Sequence, residues 1–195
     1  MRSFSGSRLG HTAPERSSPG LAVPAQARRA PGAAKPTHAK GTASYTRRMT
    51  VEGEYEPSPS PWVRDQVAEY ESSGGQRGNV QHPTGLAVVI VTMRGHRSGK
   101  VRKLPVMRVE HGGQYAIVAS KGGTAENPEW YHNLVAHPTD VAIQDGPEPF
   151  DVEVREVSGD ERAEWWERAV AAYPPYAEYQ TKTSRVIPVF VASRP

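Results

Sequence analysis

The sequence predicts an α+β fold, an antiparallel β-barrel of about six strands with flanking helices. Three observations carry this. Short β-branched runs recur between clusters of turn-forming residues. Two pairs of runs are joined only by Glu110-His111-Gly112-Gly113 and Asp145-Gly146-Pro147-Glu148, which read as hairpins. The order of elements is a helix, three strands, a helix, two strands, a helix and a strand, so few crossover units exist to build a doubly wound sheet.

The first helix follows Ser60-Pro61, an N-cap with proline at the first helical position. Trp62, Val63, Gln66, Val67 and Tyr70 follow at helical spacing, and Ser73-Gly74-Gly75 ends the run. Leu86–Met93 is an almost continuous apolar run, as expected of a strand covered on both faces. Val101–Val109 and Gln114–Ala119 flank the first hairpin turn, and Pro105 demands a bulge or an edge position. Asn127-Pro128 opens the second helix, with Trp130, Tyr131, Leu134 and Val135 on one side. Asp140–Gln144 and Phe150–Val157 form the second hairpin. In the latter, Phe150, Val152 and Val154 alternate with Asp151, Glu153 and Arg155, a half-buried strand. Ser158-Gly159-Asp160-Glu161 is a capping box opening a helix that carries Trp165, Trp166, Ala169, Val170 and Tyr173. Pro174-Pro175 stops it, and Val186–Ala192 is the sixth strand.

Composition narrows the function classes. The chain has no cysteine, which excludes disulfides, thiolate metal sites and a cysteine nucleophile and fits a reducing cytoplasm. No apolar run approaches the roughly 18 residues of a membrane helix. The net charge of +3 is unevenly spread: residues 1–48 hold nine Lys/Arg and one acid, leaving 15 basic and 20 acidic residues in 49–195. The body is therefore mildly acidic, and nucleic acid is not an expected partner of it. Residues 1–48, rich in Ala, Pro, Gly, Ser and Arg, read as a disordered basic extension ahead of a domain at 49–195. A targeting leader, a nucleic-acid arm, and translation that truly starts at Met49 all remain open for it.

Four segments bear chemistry. Arg94-Gly95-His96-Arg97-Ser98-Gly99-Lys100-Val101-Arg102-Lys103 offers turning glycines and cations to a phosphate or carboxylate, or is simply a solvated basic hairpin. Ala119-Ser120-Lys121-Gly122-Gly123 runs from a strand end toward a helix, a suitable place for an anion, although turn formation alone explains the glycines. In Pro128-Glu129-Trp130-Tyr131-His132-Asn133-Leu134 the aromatics are as readily core as cofactor contacts. His132 and His137 lie five apart, so they do not pair on one helix face for a metal, and no metal site is expected. Tyr173, Tyr176 and Tyr179 recur every third residue around a broken helix. They can pave a pocket as a lid, or pack beneath the last strand.

Taken in order, these segments, with Pro105-Val106 and Ile187-Pro188-Val189, resemble the deazaflavin-dependent nitroreductase family of actinobacteria over about Met49 to Arg194. The resemblance implies a split β-barrel of the kind that binds FMN, here taking coenzyme F420, a 5-deazaflavin with a phospholactyl and oligoglutamate tail. It implies Arg97, Ser98, Lys100 and Arg102 near the phosphate and acidic tail, and Pro105, Val106 and Met107 at the ring. Ala119, Ser120, Lys121 and Gly122 would hold ring and tail, with Trp130, Tyr131 and Asn133 on the same wall. Tyr173, Tyr176, Tyr179 and Ser120 are the hydroxyl-bearing catalytic candidates on the substrate side. The sequence departs from the family pattern at His96, where a basic residue is usual, at Arg97 in place of lysine, and at Val101 in place of proline.

The activity implied is hydride transfer from reduced F420 to a quinone, nitroaromatic or similar acceptor, by a monomer or homodimer in the cytoplasm, with peripheral membrane contact giving access to quinones. An FMN-dependent reductase and a non-catalytic deazaflavin carrier are the alternatives.

Overall fold

The computed structural model describes residues 51–195, and the expectation for residues 1–48 lies outside them. A sheet of eight antiparallel strands curls around an apolar interior and carries four helices. The first helix, α1 (Pro61–Ser72), begins after Ser60 with proline in its first turn, as its sequence dictates. Its Val67 and Tyr70 are buried, whereas Trp62, expected on the same apolar stripe, is 60% exposed.

The next strands are β1 (Val80–Gln81), β2 (Leu86–Arg94) and β3 (Val101–Met107). The run from Val88 to Met93 is buried throughout, because β2 is the central strand: β1, β3 and β6 (Val141–Gln144) all pair with it. The hairpin partner of β3 differs from the expected one. β3 pairs with β2 along its whole length, Arg94 opposite Val101 and Val88 opposite Met107. The Gly112-Gly113 turn instead joins the short β4 (Glu110–His111) to β5 (Gln114–Val118). The chain changes partner at Arg108-Val109: the Arg108 amide still donates to Ala87, while the Val109 carbonyl already accepts from Ala116. β3 is thereby an edge strand, which is where Pro105, lacking an N–H, is tolerated.

The second hairpin joins β6 to β7 (Pro149–Glu156), and β8 (Val189–Ser193) lies between β7 and β5. Asp151, expected on the wet face of β7, is buried. β8 starts later than the Val186–Ala192 run. Val186 is exposed, and the backbone of buried Ile187 is served by side chains, its amide donating to Gln180 and its carbonyl accepting from Arg162.

Helices α2 (Glu129–Ala136), α3 (Gly159–Ala172) and α4 (Pro175–Thr181) complete the fold. Ser158 takes the N-cap position of α3 without a side-chain hydrogen bond. The capping box fails because Glu161 is drawn to Arg155, which grips both its carboxylate oxygens at 2.7 and 2.5 Å. Two cores result. One lies between α1, α3, α4 and the sheet, around Val67, Ile90, Val118, Trp165, Ile187 and Val189. The other fills the curl of the sheet under α2, around Val91, Met93, Ile117, Leu134, Ile143 and Phe190.

Candidate functional site

Two cavities lie along β3. The first, about 270 Å3, has Pro105, Val106 and Met107 on one side and Ser120, Lys121 and Gly122 on another, with Trp62, Gln66, Gln81, Tyr173, Tyr176 and Tyr179 around them. The second, about 390 Å3, is formed by Gly95–Ser98, Arg102 and Lys103, with Glu129 and Asn133 of α2 opposite and Ser58-Pro59 at its rim. Leu104 and Trp130 line both, so the cavities share a wall. Both are of small-ligand size. A third recess, shared through Trp62, Gln66 and Gln81, extends from the first toward Asp65, Glu69 and His82.

The loop between β2 and β3 holds the second cavity in shape. The Gly95 amide donates to the Lys100 carbonyl, and the Gly99 amide, in a left-handed turn, donates to the Gly95 carbonyl. Asn133 pins the loop to α2: its Oδ1 accepts from the His96 backbone amide at 2.9 Å and meets the His96 Nδ1 at 2.8 Å. Because Oδ1 can only accept, Nδ1 carries the proton and Nε2 is the ring's free nitrogen. The cations here are partly neutralised already. Arg102 pairs with Glu56 at 2.5 Å, Lys100 with Glu54 at 2.8 Å and Lys103 with Glu71 at 2.5 Å. Hydrogen bonding to Glu54 raises the Lys100 pKa. Arg97, exposed on the loop, makes no ion pair among the described residues.

The first cavity depends on the loop after β5. Lys121, Gly122 and Gly123 have φ of 46°, 66° and 82°, three left-handed residues in succession that only glycine adopts freely. Gly123 also lies against α4: a Cβ there would sit 2.4 Å from the Tyr179 carbonyl oxygen, so loop and tyrosine helix touch backbone to backbone. A Cβ at Gly122 would meet nothing within 4 Å, which leaves that side open to a ligand. Arg185 holds the loop from behind. It donates to the carbonyls of Ala119, Ser120 and Thr124 and to Asn127 Oδ1, at 2.8–3.1 Å. Burial lowers its pKa.

The tyrosines are assembled differently from the expected lid. Tyr173 ends α3, while Tyr176 and Tyr179 belong to α4, which Pro174-Pro175 opens as well as closing α3. Tyr173 and Tyr176 are only 7% and 5% exposed and belong to the first core. Their ring centroids are 4.9 Å apart, edge to face. The Tyr173 and Tyr179 hydroxyls are 3.1 Å apart. Burial, then the bond to Tyr179, pushes the Tyr173 pKa up to about 12, and burial also raises that of Tyr176. These side chains are a packed wall of the cavity rather than a lid over it.

The family model for F420H(2)-dependent quinone reductases matches residues 62–194. The chain belongs to this family. A putative F420H(2)-dependent quinone reductase of Mycobacterium tuberculosis is 38% identical over 106 residues, 54% of this chain and 88% of that one. A solved structure described as an F420-H2 dependent reductase is 55% identical, with a TM-score of 0.52 over 54% of this chain and 93% of its own. A second, described as a domain-swapped dimer, is 49% identical, with a TM-score of 0.54 over 70% of this chain and 100% of its own. The split-barrel reading of the sheet agrees with these neighbours.

In this quinone reductase family member, most of the expected site residues come together. Pro105, Val106, Met107, Ser120, Lys121, Gly122, Trp130 and the three tyrosines border the first cavity, and Arg97, Ser98, Arg102, Trp130 and Asn133 border the second. Three expected contacts lie elsewhere. Tyr131 packs on Phe190 and donates to Glu156, Lys100 is turned to Glu54, and buried Ala119 offers its carbonyl to Arg185. Leu104, Trp62, Gln66, Gln81 and Arg185 were not expected. The residues fit F420: an aromatic slot open at Gly122 adjoins a chamber lined by Arg97, Arg102 and Lys103.

Proposed function

We propose that the first cavity receives the deazaflavin ring together with a quinone, and that the second takes the anionic tail of the cofactor. The shared wall of Leu104 and Trp130 supports this reading most directly, since it puts an aromatic slot and a chamber lined by Arg97, Arg102 and Lys103 within reach of one elongated ligand. Bound reduced F420 supplies a hydride. The chain supplies placement. Pro105, Val106 and Met107 present edge-strand surface to a flat ring, and Trp130 closes the junction with the tail. Arg97 and Lys103 face the tail with charge. The Tyr173–Tyr179 hydroxyl pair offers hydrogen bonds to an acceptor oxygen, and the buried tyrosine rings keep water from that side.

Within the same proposal, a nitroaromatic substitutes for the quinone, because the slot selects flat rings. Peripheral contact with a membrane is supported by exposed Trp62 at the cavity mouth. The test is anaerobic titration of the full chain with oxidised and reduced F420, then stopped-flow mixing of the reduced complex with menadione. Saturable F420 binding and rapid reoxidation are expected. Binding without reoxidation would make the chain a carrier, and preference for FMN would overturn the cofactor assignment.

A further inference from the structure

Residues 52–59 lie as a strap along the start of β3. A single parallel bridge joins Tyr55 to Val101. The Glu56 amide donates to the Val101 carbonyl and the Val101 amide to the Glu54 carbonyl, both at 2.9 Å. Residues two apart on an extended chain share a face, so Glu54 and Glu56 of the strap stand in register with Lys100 and Arg102. Glu54 meets Lys100 at 2.8 Å and Glu56 meets Arg102 at 2.5 Å. Tyr55, between the two glutamates in sequence, lies under the Lys103 ammonium, 5.2 Å from the ring centroid. The strap ends at Ser58 and Pro59, whose carbonyls accept from Arg64 and which stand at the rim of the second cavity.

The strap thus offers two carboxylates in a row to two cations in a row, as the oligoglutamate tail of F420 also does. Arg102 lines the second cavity, and Lys100 is its neighbour on the same face. Neither pair is locked. Glu54 is 72% and Lys100 40% exposed, and exposed pairs add little to stability. Glu56 Oε2, though buried, makes no aligned hydrogen bond, so its contact with Arg102 is one of charge alone. A tail that reaches these cations must first displace the glutamates, and each exchange replaces one ion pair with another.

We propose that Glu54 and Glu56 are specificity-determining residues for the cofactor: they occupy Lys100 and Arg102 in place of the outer carboxylates of a long tail, so that F420 of short and of long tail bind alike. The inference rests on the reading of the second cavity as the site of the tail. Arg97, which lines that cavity and makes no ion pair among the described residues, is left for the phosphate and the inner end of the tail.

The test is fluorescence titration of the full chain with F420 carrying no glutamate and with F420 carrying several, alongside melting temperature. The quantity read is the ratio of the two dissociation constants. In the wild type it is expected to stay within about threefold, as exposed pairs exchange for one another. In Glu54→Gln/Glu56→Gln it should shift about tenfold in favour of the long tail, the scale of one charge-assisted hydrogen bond gained. Glu52→Gln removes the same charge from the same strap, but from a carboxylate that pairs with no cation among the described residues, Arg94 reaching only its carbonyl. It should leave the ratio as in the wild type. A wild type that already prefers the long tail by about tenfold or more, a double variant with the wild-type ratio, or a Glu52→Gln ratio that shifts as far overturns the proposal. If the double variant does not fold, Glu54→Gln alone, at the more exposed pair, carries the same test. Wild-type protein that binds neither form of F420 defeats the reading of the cavity instead.

Discussion

Arg185 donates from one guanidinium nitrogen to the carbonyls of both Ala119 and Ser120, at 3.1 and 2.8 Å, although some 65 residues separate it from them. Its other nitrogens reach Thr124 and Asn127. One side chain thus sets the path of the whole left-handed loop that borders the first cavity. Ala119 is fully buried, so removing the donor strands a carbonyl that water does not readily serve.

Arg185→Ala should therefore lower both stability and F420 affinity. A loss of about 2–4 kcal/mol is expected from several charge-assisted bonds that do not add fully. Arg185→Lys should recover only part of it, because an ammonium cannot span four acceptors in a plane. Thermal melting and F420 titration on both variants check this. An unchanged melting temperature in Arg185→Ala would show that the loop holds its own shape.

The charge pairs around the second cavity give a double-mutant test. Arg102 faces the cavity but is paired with Glu56 at 2.5 Å. Removing the arginine alone leaves a carboxylate beside the anionic tail. Arg102→Ala is expected to weaken F420 binding about tenfold or more, and adding Glu56→Gln to restore much of that loss. Arg97→Ala, with no partner carboxylate to release, should weaken binding less and chiefly at low salt. F420 dissociation constants at two ionic strengths distinguish these outcomes.

How much of this was legible in the sequence depended on whether the signal was local. β2, α1, α2 and the β6–β7 hairpin follow from periodicity and turn residues, and so did the edge position of Pro105. The two-residue strands β1 and β4 carry no periodicity; only their partners make them strands. Pro174-Pro175 reads as a stop, yet a proline in the first turn also opens a helix, and α4 follows directly. Tyr131 lies off the two cavities although its neighbour Trp130 lines both, because adjacent helical residues point about 100° apart. Arg185 and Gln81 reach the site across the fold, and no local pattern marks such contacts.

Buried tyrosines set the alkaline limit of the fold, Tyr115 and Tyr173 among them. Burial, then hydrogen bonding to Asp145 at 2.8 Å, pushes the Tyr115 pKa up to about 12 from the ordinary 10.0. Tyr173 rises to about 12 as well. The folded state thus holds these protons more tightly than the unfolded chain. Their contribution is fully present below pH 10 and is lost as pH rises from about 10 through 12. Denaturant midpoints measured across that window should fall steeply. Tyr115→Phe should flatten the fall, and an unchanged slope would show that the phenol does not titrate there.

Tyr176 decides between a wall and a lid. Its ring is 5% exposed, lies 4.9 Å from that of Tyr173 and 6.2 Å from that of Trp166, and packs in the core with Ile187 and Val189. A lid residue could be cut back without harm to the fold; this one cannot. Tyr176→Ala is expected to cost about 3–5 kcal/mol of stability, as for other large aromatics removed from a core, and to lower F420 affinity and menadione turnover together. Tyr176→Phe keeps the ring and its packing, so it should retain the wild-type melting temperature. If quinone reduction survives in that variant, the ring's part is shape alone, and hydrogen bonding to the acceptor falls to the Tyr173–Tyr179 pair. If Tyr176→Ala melts like wild type yet loses turnover selectively, the residue stands over the substrate as a lid and the packed-wall assignment is wrong. Melting, cofactor titration and single-turnover reoxidation on the two variants separate these cases.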